Sequence, residues 1–216
     1  ARQAVCTASR FAKDCGGGRG APARARPDDV FEERRDDVPF CQGRKNTVLK
    51  LRPVAIDDEN AVRSANADMA AEGFTFAFGL DPSTRFADYV QSLADRSEGR
   101  GAMHGAVPET FLLAEAEGEI VGRLSLRHTL DEQLRQRGGH IGFGVLPGHR
   151  RRGYATEILK QALVLARRLD LDRVLLTCNA QNAGSRAIIE GQGGVYEDSI
   201  TQAGGAVTRR YWIALS

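Results

Sequence analysis

The segment from Gly144 to Leu163, GVLPGHRRRGYATEILKQAL, constrains the fold more than any other part of the chain. It runs from an apolar strand end, through a turn with a proline and three consecutive arginines, into a stretch with apolar residues at helical spacing. A helix N-terminus already presents unpaired N–H groups and the positive end of the macrodipole, so arginines there are unfavourable unless an anion binds. The pattern therefore predicts a strand, a turn and a helix with an anion site at the helix entrance.

The helix predicted after Gly153 has one apolar face and packs against a sheet. A glycine at its start lets backbone approach a ligand closely, and the first-turn amides can converge on a phosphate, to which guanidinium groups add charge-assisted bonds. The alternative is that Arg150, Arg151 and Arg152 form a solvated turn, which leaves Gly153 unexplained. A diphosphate fits the whole arrangement better.

Two common nucleotide motifs do not fit this chain. A Walker loop needs Gly-Lys followed by Ser or Thr, and no such tripeptide occurs. The stretch GFGVLPG is similar to the dinucleotide fingerprint, but its third glycine, Gly148, comes one residue late and Pro147 interrupts it. The predicted phosphate site is therefore of another kind.

Hydrophobic periodicity from Thr47 onward predicts a single α/β (α+β) domain over residues 47–216. The run RVLLTC is apolar throughout, which suits a buried strand parallel to its neighbour. The predicted elements are a strand at 47–54, helices near 57–72 and at 84–96 (capped by Ser83 or Thr84), a hairpin at 110–127, a strand at 140–146, a loop and helix at 150–169, a strand at 173–178, a short helix at 183–194, and paired strands at 195–200 and 206–215.

Residues 1–46 differ in composition from the rest, with GGGRGAPARARPDD followed by FEERRDD. Such a segment buries too little apolar area to offset its ordering entropy, so we expect a flexible extension. Two alternatives are an arginine-rich arm for an acidic partner and an organelle presequence, since residues 1–27 hold several arginines and a single acid.

Bulk properties narrow the functional classes. The chain has 42% hydrophobic residues, enough for a packed core, and a net charge of +2, too small to indicate a nucleic-acid binder. It has no secretory signal and no transmembrane segment, so we expect a cytoplasmic protein without a membrane partner. The four cysteines show no metal-ligand spacing, which predicts reduced thiols and no metal site.

Taken together, the motifs resemble the GNAT superfamily of acyl-CoA-dependent N-acyltransferases. The stretch VLPGHRRRGYA is similar to its central signature, Arg or Gln, two residues, Gly, one residue, then Gly or Ala, filled here by Arg150, Gly153 and Ala155. NAQNAGSRAIIEGQGG is similar to the second cofactor motif, with Asn182 and Ser185 at the expected spacing. With GGHIGFGV and the terminal RRYWIAL, the resemblance extends over residues 47–216, to a bacterial subgroup of predicted acetyltransferases.

The resemblance implies a mixed, mostly antiparallel sheet in which two central parallel strands, FGV and RVLLTC, splay apart. Acetyl-CoA would then lie in the opening, with its pantetheine arm bonded to main chain as an added strand. The implied ligands are Phe143, Gly144 and Val145 for the arm, Arg150, Arg151, Arg152, Gly153, Tyr154 and Ala155 for the diphosphate, and Asn182 with Ser185. Asn182 is also placed to act only as a helix cap.

Acyl transfer requires the neutral amine. Near pH 7 only about one molecule in a thousand of an amine with pKa ~10.4 is neutral, so deprotonation adds roughly 4 to 5 kcal/mol to the free energy of activation. A positioned base contributes about 10² to 10⁴ in rate. His140 begins the strand that leads to the thioester and is our candidate base, with a purely structural histidine as the alternative. A strand amide near Val145 is the candidate donor to the thioester oxygen.

Many members of the GNAT superfamily, which this chain resembles, carry a tyrosine as general acid at the position that corresponds to Ile189 here. Tyr154, Tyr196 and Tyr211 remain as candidates. Cys178 could form an acyl-enzyme, but a cysteine that ends a buried strand is more often a small core residue, so we expect direct transfer.

The sequence thus predicts an acetyl-CoA-dependent N-acetyltransferase acting on a small-molecule or peptide amine. Two alternatives are a non-catalytic acyl-CoA-binding sensor, suggested by the missing tyrosine, and an arginine-mediated nucleic-acid binder. The acceptor is not identified by any motif. The oligomeric state is open, a homodimer included.

Overall fold

The structure is a computed structural model that describes residues 48–100 and 107–215. The extension predicted over residues 1–46 lies outside these ranges, as do residues 101–106. The strands are β1 (Lys50–Arg52), β2 (Glu109–Ala116), β3 (Glu119–Arg127), β4 (Ile141–Val145), β5 (Arg173–Asn179), β6 (Val195–Thr201) and β7 (Val207–Ala214). The α-helices are α1 (Glu59–Ala70), α2 (Phe86–Ser97), α3 (Glu132–Gln136), α4 (Tyr154–Arg168) and α5 (Ala183–Gly191).

The strands form two antiparallel sheets, one in the order β1-β2-β3-β4 and the other in the order β5-β7-β6. The predicted hairpin is confirmed, with β2 and β3 joined at Glu117 and Gly118, both in the left-handed region that a tight hairpin turn requires. The predicted pairing of the last two strands is confirmed as β6 with β7. The α+β class expected from the sequence is therefore the observed one.

The two sheets meet where β4 begins. The His140 N–H donates to the Leu175 carbonyl at 2.7 Å, and an isolated antiparallel bridge joins Gly139 to Leu176. Beyond this point no backbone ladder joins β4 to β5 in the described ranges. The parallel course of these two strands stays a prediction.

Apolar side chains on opposite faces of the first sheet form two cores. Ile158, Leu159 and Ala162 of α4 pack with Leu124 and Leu126 of β3 in the larger core. The smaller core is built from α1, α2 and the alternate residues of β2, including Val62, Tyr89, Leu93, Phe111 and Leu113. The predicted packing of α4 against a sheet is therefore confirmed.

Several elements differ from the prediction, among them three helices. The first helix begins with a 3-10 turn at Ile56–Asp58 and ends at Ala70. The second is not capped by Ser83 or Thr84, because the Thr84 hydroxyl instead accepts from the Asp81 N–H and closes a turn before the helix. Helix α3 lies between the predicted hairpin and the predicted strand at 140–146, where no element was predicted, and the Asp131 carboxylate caps the Leu134 N–H at 2.7 Å.

Candidate functional site

A cavity of about 650 Å³ lies beside the C-terminal end of β4. Its walls come from the end of α1, from β4, from the arginine turn, and from the first turns of α4 and α5. Of the ligand residues predicted from the sequence, all except Arg152 line it: Phe143, Gly144, Val145, Arg150, Arg151, Gly153, Tyr154, Ala155, Asn182 and Ser185. The fold thus brings two distant sequence segments to one concave site.

The backbone before α4 has the geometry of an anion site. Arg151 has φ +64° and Gly153 has φ +86°, so the chain makes a tight turn with two residues in the left-handed region directly before the helix. No side chain caps α4, and the N–H groups of Tyr154, Ala155 and Thr156, which precede the first helical hydrogen bond at Glu157, have no intrahelical acceptor. A Cβ at Gly153 would meet nothing within 4 Å, so the backbone conformation, not lack of space, explains the glycine.

Arg150 pairs with a carboxylate of the protein itself in this structure. Its terminal nitrogens pair with the Glu72 carboxylate at 3.0 and 2.6 Å, and its Nε donates to the Val145 carbonyl at 3.1 Å. This pairing lowers the pKa of Glu72 and balances one charge of the arginine turn. Glu72 therefore neutralises Arg150 in this structure, and the predicted binding of Arg150 to a diphosphate stays a prediction.

The other two arginines of the turn are exposed. Arg151 lines the cavity, whereas Arg152 does not. The ligand role predicted for Arg151 is therefore compatible with its position and stays a prediction. The ligand role predicted for Arg152 stays a prediction.

One edge of β4 faces away from its ladder partner. The His140 carbonyl and the Leu146 N–H both bond to β3, so the backbone groups of the alternate residues Phe143 and Val145 point to the opposite edge. Gly144 allows the Phe74 ring to lie against the strand, because a Cβ there would come within 2.7 Å of that ring. The strand therefore offers N–H and C=O groups to an extended ligand beside an aromatic wall.

Asn182 caps α5 and lines the cavity. Its Oδ1 accepts from the Ser185 N–H at 2.9 Å, which is the capping role considered from the sequence. The cap uses the oxygen, so Nδ2 is the atom suited to donate to a ligand. The capping and the predicted ligand role are compatible.

His140 is buried at the junction of the sheets and does not line the cavity. Its Nδ1 accepts from the Leu175 N–H at 2.9 Å, so a neutral ring carries its proton on Nε2 and has no lone pair left for a base. Burial, with Arg135 and Arg127 nearby, lowers its pKa to about 4. This geometry favours the structural alternative, and the role of His140 as base stays an untested prediction.

The other candidates for general acid or nucleophile lie at different distances from the cavity, and only one of them lines it. Tyr154 lines the cavity, Tyr211 is buried and donates to Glu190, and Tyr196 is half exposed beside Ser199. Ile189 is buried in the larger core. Burial raises the pKa of the Cys178 thiol, which suits a core residue better than a nucleophile.

Sequence reasoning missed the wall that α1 contributes. Met69 near the end of α1, and Glu72 and Phe74 just after it, line the cavity although they lie some 80 residues before the arginine turn. No local pattern marks them, because their role arises only when α1 packs beside β4. Within the described ranges there is no His, Cys, Asp and Glu group suited to a metal, and no helix with the length and apolarity to cross a membrane.

Comparisons with known proteins agree with this architecture. The family model for the acetyltransferase (GNAT) domain matches residues 49–195. The chain is similar in structure to RimJ from Mycobacterium smegmatis in complex with CoA-disulfide, at 22% identity and a TM-score of 0.60, covering 78% of this chain and 82% of that one. It is also similar to yncA from Salmonella typhimurium, solved with its cofactor acetyl-CoA, at 16% identity and a TM-score of 0.56, covering 78% and 94%.

A third similar structure is the Salmonella typhimurium acetyl transferase that modifies the N-terminal serine of a 50S ribosomal subunit protein. It shares 19% identity and a TM-score of 0.57, over 81% of this chain and 98% of that one. The comparison with curated proteins gave no match. The match of the family model covers most of the chain, so the protein belongs to the GNAT acetyltransferase family, whose acyl donor is acetyl-CoA.

Proposed function

We propose that the protein is an acetyl-CoA-dependent N-acetyltransferase that transfers the acetyl group directly to an amine of a small molecule or peptide. One observation carries the proposal. The uncapped start of α4, the turn at Arg151 and Gly153, and the end of β4 all line one cavity. This combination suits a ligand with a diphosphate at one end and an extended amide-containing arm.

The chain's own groups would divide the binding between them. The amides of residues 151–155 and the Arg151 guanidinium bind the diphosphate, because N–H groups at a helix start and an arginine fork both favour phosphate oxygens. The open-edge N–H and C=O groups of Phe143 bind the arm as an added strand, next to the Val145 N–H, because the Val145 carbonyl already accepts from Arg150 Nε. The Asn182 Nδ2 donates to the same arm from the other wall.

Acetyl-CoA, when bound, supplies an acetyl group activated as a thioester. The Val145 N–H points to the open edge, where it donates to the thioester oxygen and favours the charge that develops there. Phe74 and Met69 restrict water at the α1 side of the cavity. Tyr154 is the tyrosine on the cavity wall from which a proton can reach the departing thiol.

Steady-state thiol release tests the proposal. The full chain is incubated with acetyl-CoA and a panel of amines, and free thiol is measured together with the mass of the acetylated product. We expect acceptor-dependent thiol release and a product heavier by one acetyl group. Tight acetyl-CoA binding with no turnover on any amine would refute the enzymatic part.

A second candidate function is an acyl-CoA sensor without catalysis. It is favoured by His140, whose acceptor nitrogen is already bonded to Leu175. A sensor would bind acetyl-CoA and CoA with different affinities, while releasing no thiol beyond the uncatalysed rate. Calorimetry with both ligands separates this case from the enzyme.

A further inference from the structure

The cavity beside β4 has walls of opposite charge. The wall at the start of α4 holds Arg151 and the N–H groups at the positive end of the helix macrodipole. The α1 wall holds Glu72, the only carboxylate among the described residues that line this cavity. Glu72 follows the end of α1, which has no basic residue in its last turn to offset the negative end of its own macrodipole. The cavity therefore suits an anion at one wall and a cation at the other.

The Glu72 carboxylate is reachable and has acceptor capacity to spare. Arg150 Nη1 donates to Glu72 Oε1 at 3.0 Å, and Nη2 donates to Oε2 at 2.6 Å. A carboxylate has about four lone-pair sites, so this pairing leaves about two of them open to a further donor. The Glu72 side chain is 45% exposed, which gives a ligand in the cavity access to it.

The charge available at Glu72 depends on what balances Arg150. The ion pair offsets the charge of the carboxylate. The position proposed for the diphosphate, at residues 151–155, is next to Arg150 in the chain. Its negative charge offsets that of Arg150 in turn, so bound cofactor favours a cation at Glu72.

Glu72 also lies close to the place proposed for the thioester. Arg150 Nε donates to the Val145 carbonyl at 3.1 Å, and Nη2 of the same planar group donates to Glu72 at 2.6 Å. The Val145 carbonyl oxygen is therefore within about 8 Å of the Glu72 carboxylate. Three backbone bonds span about 3.8 Å, so a chain of roughly five to seven bonds covers such a distance. A molecule held at Glu72 can thus extend a second group to Val145.

The side chains beside Glu72 on this wall are apolar. Met69 and Phe74 both line the cavity. Phe74 lies against β4, because a Cβ on Gly144 would come within 2.7 Å of its ring. Methylene groups can pack on these side chains, whereas polar groups there would lose hydrogen bonds to water. The wall therefore favours a hydrocarbon segment between Glu72 and β4.

Glu72 is suited to hold a charge and not to remove a proton. The hydrogen bonds from Arg150 lower the pKa of Glu72, so the carboxylate stays ionised near pH 7 and is a weak base. A carboxylate beside the reacting amine would also favour the protonated, unreactive form of that amine. The charge that suits Glu72 is therefore a second one, separate from the nitrogen that is acetylated.

We propose that the acceptor is an amine with a second positive group, and that Glu72 binds this group while the other nitrogen reaches the thioester at Val145. A short unbranched diamine is the simplest member of this class. The inference rests on the proposed function and concerns the same site. The neutral amine forms a bond to the acetyl carbon as the carbon–sulfur bond breaks, and the proton that it loses ends on the departing thiol. The products are the monoacetylated diamine and CoA.

The test compares three acceptors with the same carbon chain: diaminobutane, aminobutanol and butylamine. A hydroxyl replaces the second ammonium in aminobutanol, and a hydrogen replaces it in butylamine. Half the kcat/KM of diaminobutane is used, because this molecule has two equivalent amines. We expect it to exceed the kcat/KM of aminobutanol by about 10-fold or more, the size of one hydrogen bond to a charged group. Thiol release and product mass are the readouts.

Two variants test the residue itself. Glu72→Gln keeps the size of the side chain and removes its charge, so the ratio of diaminobutane to aminobutanol should fall close to one while acetyl-CoA still binds in calorimetry. Glu59→Gln is the matched control. Glu59 is 46% exposed, pairs with Arg63 at 2.8 Å and lies on the same helix, but it does not line the cavity. Its variant should keep the wild-type ratio.

The outcomes separate this inference from the function beneath it. A wild-type ratio near one, an unchanged ratio in Glu72→Gln, or an equal fall in Glu59→Gln overturns the role of Glu72. The wild-type ratio decides even if Glu72→Gln no longer binds acetyl-CoA. Turnover of butylamine or of a peptide amine without a preference for diaminobutane overturns the inference and leaves the acetyltransferase proposal standing. No turnover on any amine overturns both.

Discussion

Replacing Gly153 with alanine isolates the backbone contribution to the anion site. Gly153 has φ +86°, and a Cβ there would touch nothing within 4 Å, so the substitution adds strain without a clash. Holding an alanine in the left-handed region costs roughly 1–2 kcal/mol. If the turn before α4 takes an unstrained conformation in the ligand-free variant, acetyl-CoA must return it to the strained one on binding. The Kd for acetyl-CoA then rises by about 5- to 30-fold.

If the loop does not relax, the same cost appears as lost stability instead. The free energy of unfolding from urea titration and the binding free energy from calorimetry are therefore measured on one preparation, and their losses should sum to about 1–2 kcal/mol. Gly148→Ala is the matched control, since it lies in the same turn, meets no atom within 4 Å and does not have a positive φ. A Gly153→Ala chain with unchanged stability and affinity, or an equal loss in Gly148→Ala, refutes the backbone argument.

Three further predictions follow from the site. The pKa of His140 is about 4 in the folded chain and about 6.5 in the unfolded chain. The free energy of unfolding should therefore keep its full value above pH 6.5 and fall by on the order of 2 kcal/mol toward pH 4. The His140→Gln variant should lack this pH-dependent loss in urea titrations. An unchanged pH dependence in the variant contradicts it. Glu72→Gln frees Arg150, so acetyl-CoA should bind about two- to five-fold more tightly at low salt, and equal Kd values by calorimetry would count against this. Cys178→Ser should retain turnover, and intact mass should show no acetylated enzyme; an acetylated wild-type chain would argue for a covalent step.

Local patterns in the sequence sufficed for the elements that carry strong periodicity. The apolar face of α4, the turn at Gly118 and the continuous run in β5 each identify an element from a few neighbouring residues. Helix α3 was not predicted, because five residues are too few to show helical periodicity, although Asp131 is a recognisable N-cap residue. The main cavity wall was predicted through the arginine turn and Asn182, since both lie at helix starts.

Contacts between residues far apart in the chain could not be predicted from the sequence. Arg150 and Glu72 are 78 positions apart, and their pairing depends on how α1 packs beside β4. His140 and Leu175 are 35 positions apart, and only the meeting of the two sheets engages Nδ1. The buried charge of Arg123 likewise arises from packing, because in sequence it is one arginine in an alternating strand.

The measurement closest to the central claim is a two-dimensional NMR titration of the ¹⁵N-labelled full chain with CoA and, separately, with pantetheine, which lacks the diphosphate. Backbone amides of residues 151–155 should shift with CoA and stay in place with pantetheine, whereas the amides of Phe143 and Val145 should respond to both. Loop amides that do not move with CoA, or that move equally with pantetheine, would contradict the assignment of the diphosphate to the start of α4.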